Sequence, residues 1–200
     1  MVSVKDLCFS YKNSRTGENE APVLSGLSFD IPEGSAVAVM GASGSGKTTL
    51  TKLLLGLETP TAGRIEGLSG LRISVVFQED RLLPWFSARR NIAAVLPADK
   101  KSAELTDELL RETELSDAAD KPLSELSGGM KRRVSIARAL AFGGDLLILD
   151  EPLKGLDEEL KKRIVPRIRK RFRTILLITH DEAEAKLFGC GEIIRLDQAN

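Results

Sequence analysis

The stretch AVAVMGASGSGKTTL, residues 36–50, decides the fold of this chain. It opens with an apolar run typical of a buried strand, passes through a glycine-rich turn and ends in a helical pattern. The turn from Gly41 to Thr48 fits the pattern G-x-x-x-x-G-K-[ST] in full. A strand before this pattern and a helix after it identify a phosphate-binding P-loop. That context disfavours the alternative, a glycine-rich turn with a solvated lysine.

This loop has the composition that a bound nucleotide and its Mg²⁺ require. Glycines let successive backbone N–H groups turn towards the phosphates, and the N-terminus of the next helix adds a positive dipole. We expect the Lys47 ammonium to reach the β- and γ-phosphates and the Thr48 hydroxyl to ligate Mg²⁺. The predicted phosphate-binding residues are Gly41, Ala42, Ser43, Gly44, Ser45, Gly46, Lys47, Thr48 and Thr49.

Three further apolar runs resemble the strand before this loop: Ile73–Phe77, Leu146–Leu149 and Ile175–Ile178. Short runs of this kind, separated by helical stretches, predict parallel strands covered on both faces. The predicted fold class is therefore α/β, a mostly parallel sheet with helices on both faces. Val2–Tyr11 and Ala21–Ile31 add an N-terminal antiparallel β part, joined through the polar residues 12–20.

Polar residues follow each of these predicted strands: Gln78, then Asp150 and Glu151, then His180. Because ligands bind beyond the carboxyl ends of parallel strands, we expect these side chains to lie near the P-loop. Asp150 is then a ligand of Mg²⁺, and Glu151 is placed to polarise an attacking water in phosphoryl transfer. A lone histidine is usually a packed or surface residue, but the position of His180 at a strand end favours the site.

A second candidate anion site is the stretch LSGGM, residues 126–130. Ser127 is the predicted N-cap of a helix over Lys131–Leu140, and Gly128 and Gly129 let an anion approach the backbone there. A second phosphate-binding helix terminus in one chain is redundant unless it serves a different nucleotide. The pattern therefore predicts a head-to-tail dimer, in which each ATP lies between one P-loop and the other subunit's glycines.

Together these motifs resemble the ABC ATPase family over nearly the whole chain. The resemblance implies that Tyr11 stacks on adenine, with Phe9 on the same strand face as the alternative. It also implies that Gln78 joins the metal or its water and signals to a membrane partner. His180 would contact the γ-phosphate. The pair Leu156-Asp157 matches the end of the D-loop, which adds this aspartate to the predicted nucleotide-binding residues.

The same resemblance implies hydrolysis of Mg-ATP by a subunit at the cytoplasmic face of the membrane, with a second, identical ATPase subunit and transmembrane permease subunits as partners. Arg81–Trp85, followed by Arg90–Ile92, resembles the importer group for nitrate, sulfonates and taurine, which also predicts an extracytoplasmic substrate-binding protein. Trp85 could equally pack inside the helical part. Two departures from the family, Met130 and Lys154, leave the phosphate ligands intact but put the hydrolysis rate in question.

We expect a single ATPase domain over residues 1–200, with an inserted helical subdomain at approximately 84–140. Basic and acidic residues balance at 29 each, so no basic field predicts a nucleic-acid partner. The basic run Lys161–Arg173 carries apolar residues at helical spacing and is interpreted as a solvated amphipathic helix. The apolar runs are too short to span a bilayer. The rival functions are an exporter subunit and a soluble ABC mechanoprotein acting on DNA or ribosomes.

Overall fold

The computed structural model describes residues 1–12 and 20–196. The connection predicted for residues 12–20 lies almost wholly outside them. The chain forms two compact units, one built from Met1–Leu71 with the segment that starts at Arg173, and the other from Arg72–Phe172. Within the described residues, no helix combines the length and apolar character that a membrane span needs.

Strands and helices alternate along most of the chain. In chain order the elements are β1 (Val2–Phe9), β2 (Leu24–Ile31), β3 (Ala36–Gly41), α1 (Lys47–Leu54), β4 (Ala62–Glu66), β5 (Ile73–Val76), α2 (Ala88–Ala93), α3 (Lys100–Glu112), α4 (Gly128–Phe142), β6 (Leu146–Asp150), α5 (Glu158–Arg171), β7 (Ile175–Thr179), α6 (Glu182–Leu187) and β8 (Glu192–Leu196). Two short 3₁₀ turns, Ser116–Ala118 and Leu123–Glu125, lie between α3 and α4.

The first unit contains an antiparallel sheet and a group of parallel strands. β1 lies between β2 and β4 and is antiparallel to both. β3 lies between β7 and β8 and is parallel to both, with Met40 opposite Thr179 and Gly41 opposite Leu196. Residues 36–40 of β3 and 175–179 of β7 are buried throughout, which explains their continuous apolar sequence. The chain therefore leaves β3 and β7 at the same edge of the sheet.

The second unit contains one parallel strand pair and most of the helices. β5 pairs with β6, with Val76 opposite Leu149, so that the chain leaves both strands at the same edge. Helices α2, α3 and α4 lie between these two strands in sequence and cover the segment predicted to be helical. The predicted fold class is confirmed: parallel strands alternate with helices, and an antiparallel part lies at the N-terminus. The single domain with an inserted subdomain stays a prediction.

The basic helix α5 is amphipathic, as predicted. Its residues Ile164, Val165 and Ile168 are buried. On its basic side, Arg171 forms ion pairs of 2.8 Å with both Glu108 and Glu112 of α3. Arg163 pairs in the same way with Glu114 at 2.7 Å and holds the pKa of that carboxyl below its usual value. These basic side chains are therefore matched by acidic residues of the same unit.

The loop between β5 and α2 is organised by the fully buried side chain of Asn91. Its Oδ1 accepts a hydrogen bond of 2.8 Å from the backbone N–H of Leu83. Its Nδ2 donates to the carbonyl oxygens of Leu83, Phe86 and Ser87 at 3.0–3.3 Å. An irregular loop has no ladder of backbone hydrogen bonds, and the Asn91 amide supplies hydrogen-bond partners to its backbone groups instead.

Replacing Asn91 with leucine tests this role. Leucine has the same branched shape and number of side-chain heavy atoms but cannot hydrogen-bond, and each buried group left without a partner costs ~1–3 kcal/mol. We expect Asn91→Leu to lower the free energy of unfolding by about 2 kcal/mol in urea titrations. We also expect faster tryptic cleavage after Arg81. Ala93→Leu, on the exposed side of the same helix, is the control, and equal behaviour of the two variants would contradict the role.

Candidate active site

The P-loop lies where the sequence predicts it, between β3 and α1. Gly46 precedes the helix with a φ of 92°, a left-handed conformation that glycine adopts without strain. Lys47 is the first residue of α1, and its Nζ donates to the carbonyl oxygens of Gly41 and Ala42, both at 2.7 Å. The ammonium is therefore folded back over the loop.

The interior of this loop contains a polar group without a partner. Ser45 is 3% exposed, and its Oγ has no hydrogen-bond partner among the described residues. A Cβ atom on Gly41 would lie 2.3 Å from this oxygen, so only glycine fits opposite it. A buried hydroxyl without a partner is costly, and a bound ligand is one group that can supply the partner. The residues of the loop thus fit a nucleotide phosphate, which accepts hydrogen bonds from hydroxyl, ammonium and helix N-terminal N–H groups.

The aromatic residue predicted to stack on adenine lies close to this helix. The Tyr11 hydroxyl is 3.2 Å from Thr49 Oγ1 and 3.4 Å from Lys52 Nζ. Phe9 packs edge-on against the Tyr11 ring, with 4.8 Å between ring centroids, and is only 5% exposed. Because Tyr11 is half-buried and Phe9 is in the core, Tyr11 is the more accessible of the two. A cavity of about 540 Å³ adjoins it, lined by residues 9–12 and 58–61.

His180 belongs to the same unit as the P-loop. It follows Thr179 of β7, which lies opposite Met40 of β3, so that His180 and Gly41 leave neighbouring strands at one edge. The next residue, Asp181, caps α6 by accepting a hydrogen bond from the N–H of Ala183 at 2.8 Å. The first unit therefore brings together the P-loop, Tyr11 and the position of His180.

The second unit brings together Gln78, Asp150 and Glu151. The first of these follows β5, and the other two lie at the end of β6. The guanidinium of Arg132 donates hydrogen bonds to the carbonyl oxygens of Gln78 at 3.1 Å, Asp150 at 3.3 Å and Glu151 at 2.7 Å. Asp150 is 2% exposed, and Lys154 Nζ lies 3.8 Å from the Glu151 carboxylate.

The glycine pair of the LSGGM stretch lies at the start of α4. Ser127 caps this helix, as predicted, and its Oγ accepts a hydrogen bond of 3.2 Å from the N–H of Met130. The helix begins at Gly128, three residues earlier than expected. A Cβ atom on Gly129 would lie 3.0 Å from the carbonyl oxygen of Gly155, so this glycine allows close packing against the D-loop. Asp157 caps α5 through a 2.9 Å hydrogen bond from the N–H of Leu160.

The structure decides between the two alternatives for Trp85 and adds one residue, Arg132, that the sequence analysis did not identify. Trp85 is 72% exposed, so the alternative that it packs inside the helical part is wrong. Arg132 is 3% exposed and was not predicted to take part in the site. Its spacing from the buried residues Ser135, Ile136 and Ala139 places it on the buried face of α4, and this pattern could have identified it.

Comparisons with known proteins agree on the family to which this chain is similar. A family model described as ABC transporter matches residues 24–154. The chain is 46% identical over 169 residues to the aliphatic sulfonates import ATP-binding protein SsuB of Granulibacter bethesdensis, which covers 82% of this chain and 70% of that protein. It is 39% identical over 204 residues to the bicarbonate transport ATP-binding protein CmpC of Synechococcus elongatus, covering 93% of this chain and 30% of that one.

Among solved structures, the fold matches that of an ATP-binding cassette in a dimeric post-hydrolysis state bound to ADP and Pi. The TM-score is 0.85 at 27% identity, and the match covers 98% of this chain and 94% of that one. The family model and these relatives show that the chain belongs to the ABC transporter family of Mg-ATP-hydrolysing subunits.

Proposed function

We propose that this chain is the ATP-hydrolysing subunit of an ABC importer for a small anion or organic solute of the nitrate, sulfonate and taurine type. The observation that carries the ATPase part is the P-loop, with Lys47 folded over it and the unsatisfied hydroxyl of Ser45 inside it. The importer part is supported by the similarity to SsuB and CmpC and by the exposed Trp85.

In this proposal the P-loop binds the phosphates of ATP. Lys47 Nζ exchanges the two carbonyl oxygens that it now contacts for oxygens of the β- and γ-phosphates. The backbone N–H groups from Gly41 to Thr49 and the Ser45 hydroxyl donate further hydrogen bonds. Tyr11 stacks on the adenine. Thr48, Gln78 and Asp150 supply oxygen ligands for Mg²⁺, which neutralises charge on the transferring phosphoryl group when bound.

Hydrolysis requires a base and a group that stabilises the transition state. We assign the base to Glu151, whose carboxylate follows the buried end of β6 and polarises the attacking water. His180, at the end of β7, donates to the γ-phosphate oxygens as charge develops on them. The lysine side chain nearest Glu151, Lys154, is 66% exposed and therefore a weak partner.

The second nucleotide contact is assigned to a partner subunit. Ser127 already satisfies the N–H of Met130, which leaves Gly128 and Gly129 to present the N-terminus of a 15-residue helix. In a head-to-tail homodimer these glycines, with Asp157, complete the site that holds the other subunit's ATP. Two ATP molecules then close the dimer, and hydrolysis with phosphate release reopens it.

The loop from Gln78 to Trp85 is the proposed contact with the permease. It begins at a residue assigned to the metal and ends at an indole that is exposed to solvent. Large exposed aromatic side chains are typical of protein interfaces. Movement at Gln78 during hydrolysis would thus reach the transmembrane subunits through a loop that Asn91 holds in shape. An exporter would use the same ATPase parts, and the similarity to import subunits is what favours import.

Replacing Glu151 with glutamine tests the catalytic assignment. Glutamine keeps the shape of the side chain but cannot accept the proton of the attacking water. We expect Glu151→Gln to bind Mg-ATP normally and to turn over at least about a hundredfold more slowly, the lower end of what general-base catalysis contributes. Phosphate release and nucleotide binding are measured on the same preparation. Glu159→Gln, an exposed glutamate of α5, is the control, and near-normal turnover of Glu151→Gln would remove this residue from the role.

Capture of partners tests the transporter assignment. Glu151→Gln with ATP, used as bait in solubilised membranes of its own cell, is expected to retain a polytopic permease and a substrate-binding protein, identified by mass spectrometry. Adding Trp85→Ser is expected to reduce recovery of the permease, whereas Leu57→Ser, at another exposed apolar residue, is the control. Recovery of ribosomal or DNA-repair proteins without a membrane protein would instead support the soluble rival.

A further inference from the structure

Arg132 is a buried charge that contacts two separate loops of its unit. It lies in α4, four residues after Gly128, and is 3% exposed. Its Nη1 donates to the carbonyl oxygen of Phe77 at 2.6 Å and to Asp80 Oδ1 at 3.2 Å. Its Nη2 donates to the carbonyl oxygens of Gln78, Asp150 and Glu151 at 2.7–3.3 Å. One guanidinium therefore joins the backbone after β5 to the backbone after β6.

Burying the Arg132 guanidinium costs free energy, and packing alone does not explain why a charged side chain lies here. Burial lowers the pKa of Arg132, while the charges of Asp80, Asp150 and Glu151 oppose that effect. Replacing buried ionic groups with apolar residues of similar volume is often neutral or stabilising. Four of its five contacts are carbonyl oxygens, which carry only partial charge. The guanidinium is therefore better explained by the geometry that it fixes than by the stability that it adds.

One of the residues that Arg132 binds, Glu151, has a strained backbone. Glu151 has a φ of 47°, a left-handed conformation that costs a non-glycine residue ~1–2 kcal/mol. Such a conformation persists only where the surroundings over-determine it. The 2.7 Å bond from Arg132 to the Glu151 carbonyl is one of these constraints. Released from it, the backbone could relax and the carboxylate would change direction.

We propose that Arg132 is a positioning residue for hydrolysis, which fixes the backbone of Gln78 and Glu151 against the helix that begins at Gly128. This inference rests on the proposed function, because it takes Glu151 as the base. If Arg132 has this role, α4 and the backbone that carries the Glu151 carboxylate move together as a rigid body. When the start of α4 in one subunit binds the ATP held by the partner's P-loop, the position of Glu151 in that first subunit would change with it.

The test uses Arg132→Lys, which keeps the charge but loses the planar fork that reaches several carbonyl oxygens. We expect the rate constant for single-turnover hydrolysis to fall about ten- to a hundredfold, since a catalytic group misplaced by ~1 Å can lower the rate a hundredfold. The dissociation constant for ATP measured without Mg²⁺ is expected to change little, because the P-loop and Tyr11, which bind the nucleotide itself, belong to the other unit. Arg132→Gln, which removes the charge and keeps a donor, is expected to lose at least as much.

Arg133→Lys is the matched control. Arg133 is the next residue of the same helix, and its Nη1 donates to the carbonyl oxygens of Thr113 at 2.9 Å and Glu114 at 2.5 Å, outside the site. Its pKa is also lowered by burial. This variant is expected to lose thermal stability but to keep its kcat per folded molecule. If both arginine variants lose kcat in parallel with stability, the positioning role of Arg132 is wrong.

A double variant separates positioning from a general structural effect. If Arg132 acts through Glu151, adding Arg132→Lys to Glu151→Gln causes no further loss of turnover. A further loss equal to that of the single variant would overturn the inference while leaving the base assignment intact. Normal turnover of Glu151→Gln alone would overturn both.

Discussion

Parallel pairing of buried strands is the constraint on which the rest of this structure depends. A parallel register sends the chain out of neighbouring strands at the same edge, whatever follows them. In the first unit it places the start of the P-loop beside His180, because Met40 lies opposite Thr179. In the second it places the residues after β5 beside Asp150 and Glu151, because Val76 lies opposite Leu149. The apolar runs therefore determine where the chemically useful residues meet.

This constraint also explains how far the sequence could be interpreted. β3, β6 and β7 are buried along nearly their whole length and have continuous apolar runs. β5 alternates between half-buried and buried residues but is also mostly apolar, so all four strands were predicted together with the polar residues that follow them. β4 and β8 were missed, because their residues are mostly exposed or half-buried and leave no such run. The cap at Ser127 was found from local chemistry, but the start of its helix was placed three residues late because Gly128 and Gly129 have poor helix propensity.

What the sequence did not predict are the long-range hydrogen bonds. Asn91 and Arg132 each bind backbone groups of the segment from residue 77 to residue 87, and nothing in their local pattern identifies these partners. Trp85 was ambiguous for the same reason. A large aromatic side chain such as an indole is usually buried, but in this structure the Trp85 side chain, which lies in the loop that Asn91 binds, is exposed to solvent. The basic run of α5 was interpreted correctly as amphipathic, but the acidic partners of Arg171 on α3 lie about 60 residues away in sequence.

Two basic residues, Lys154 and Arg132, contact Glu151, and they differ in how strongly they constrain its geometry. Lys154 is one of the two departures from the family that the sequence analysis identified, and its Nζ is 3.8 Å from the carboxylate. Since its side chain is 66% exposed, such a pair contributes at most ~1 kcal/mol and is weakened by salt. Removing Arg132 takes the donor away from four backbone carbonyl oxygens, and each buried acceptor left without a partner costs ~1–3 kcal/mol. Arg132, with its five partners and almost no exposure, therefore has the larger hold on the geometry of Glu151, although it touches the backbone and not the carboxylate.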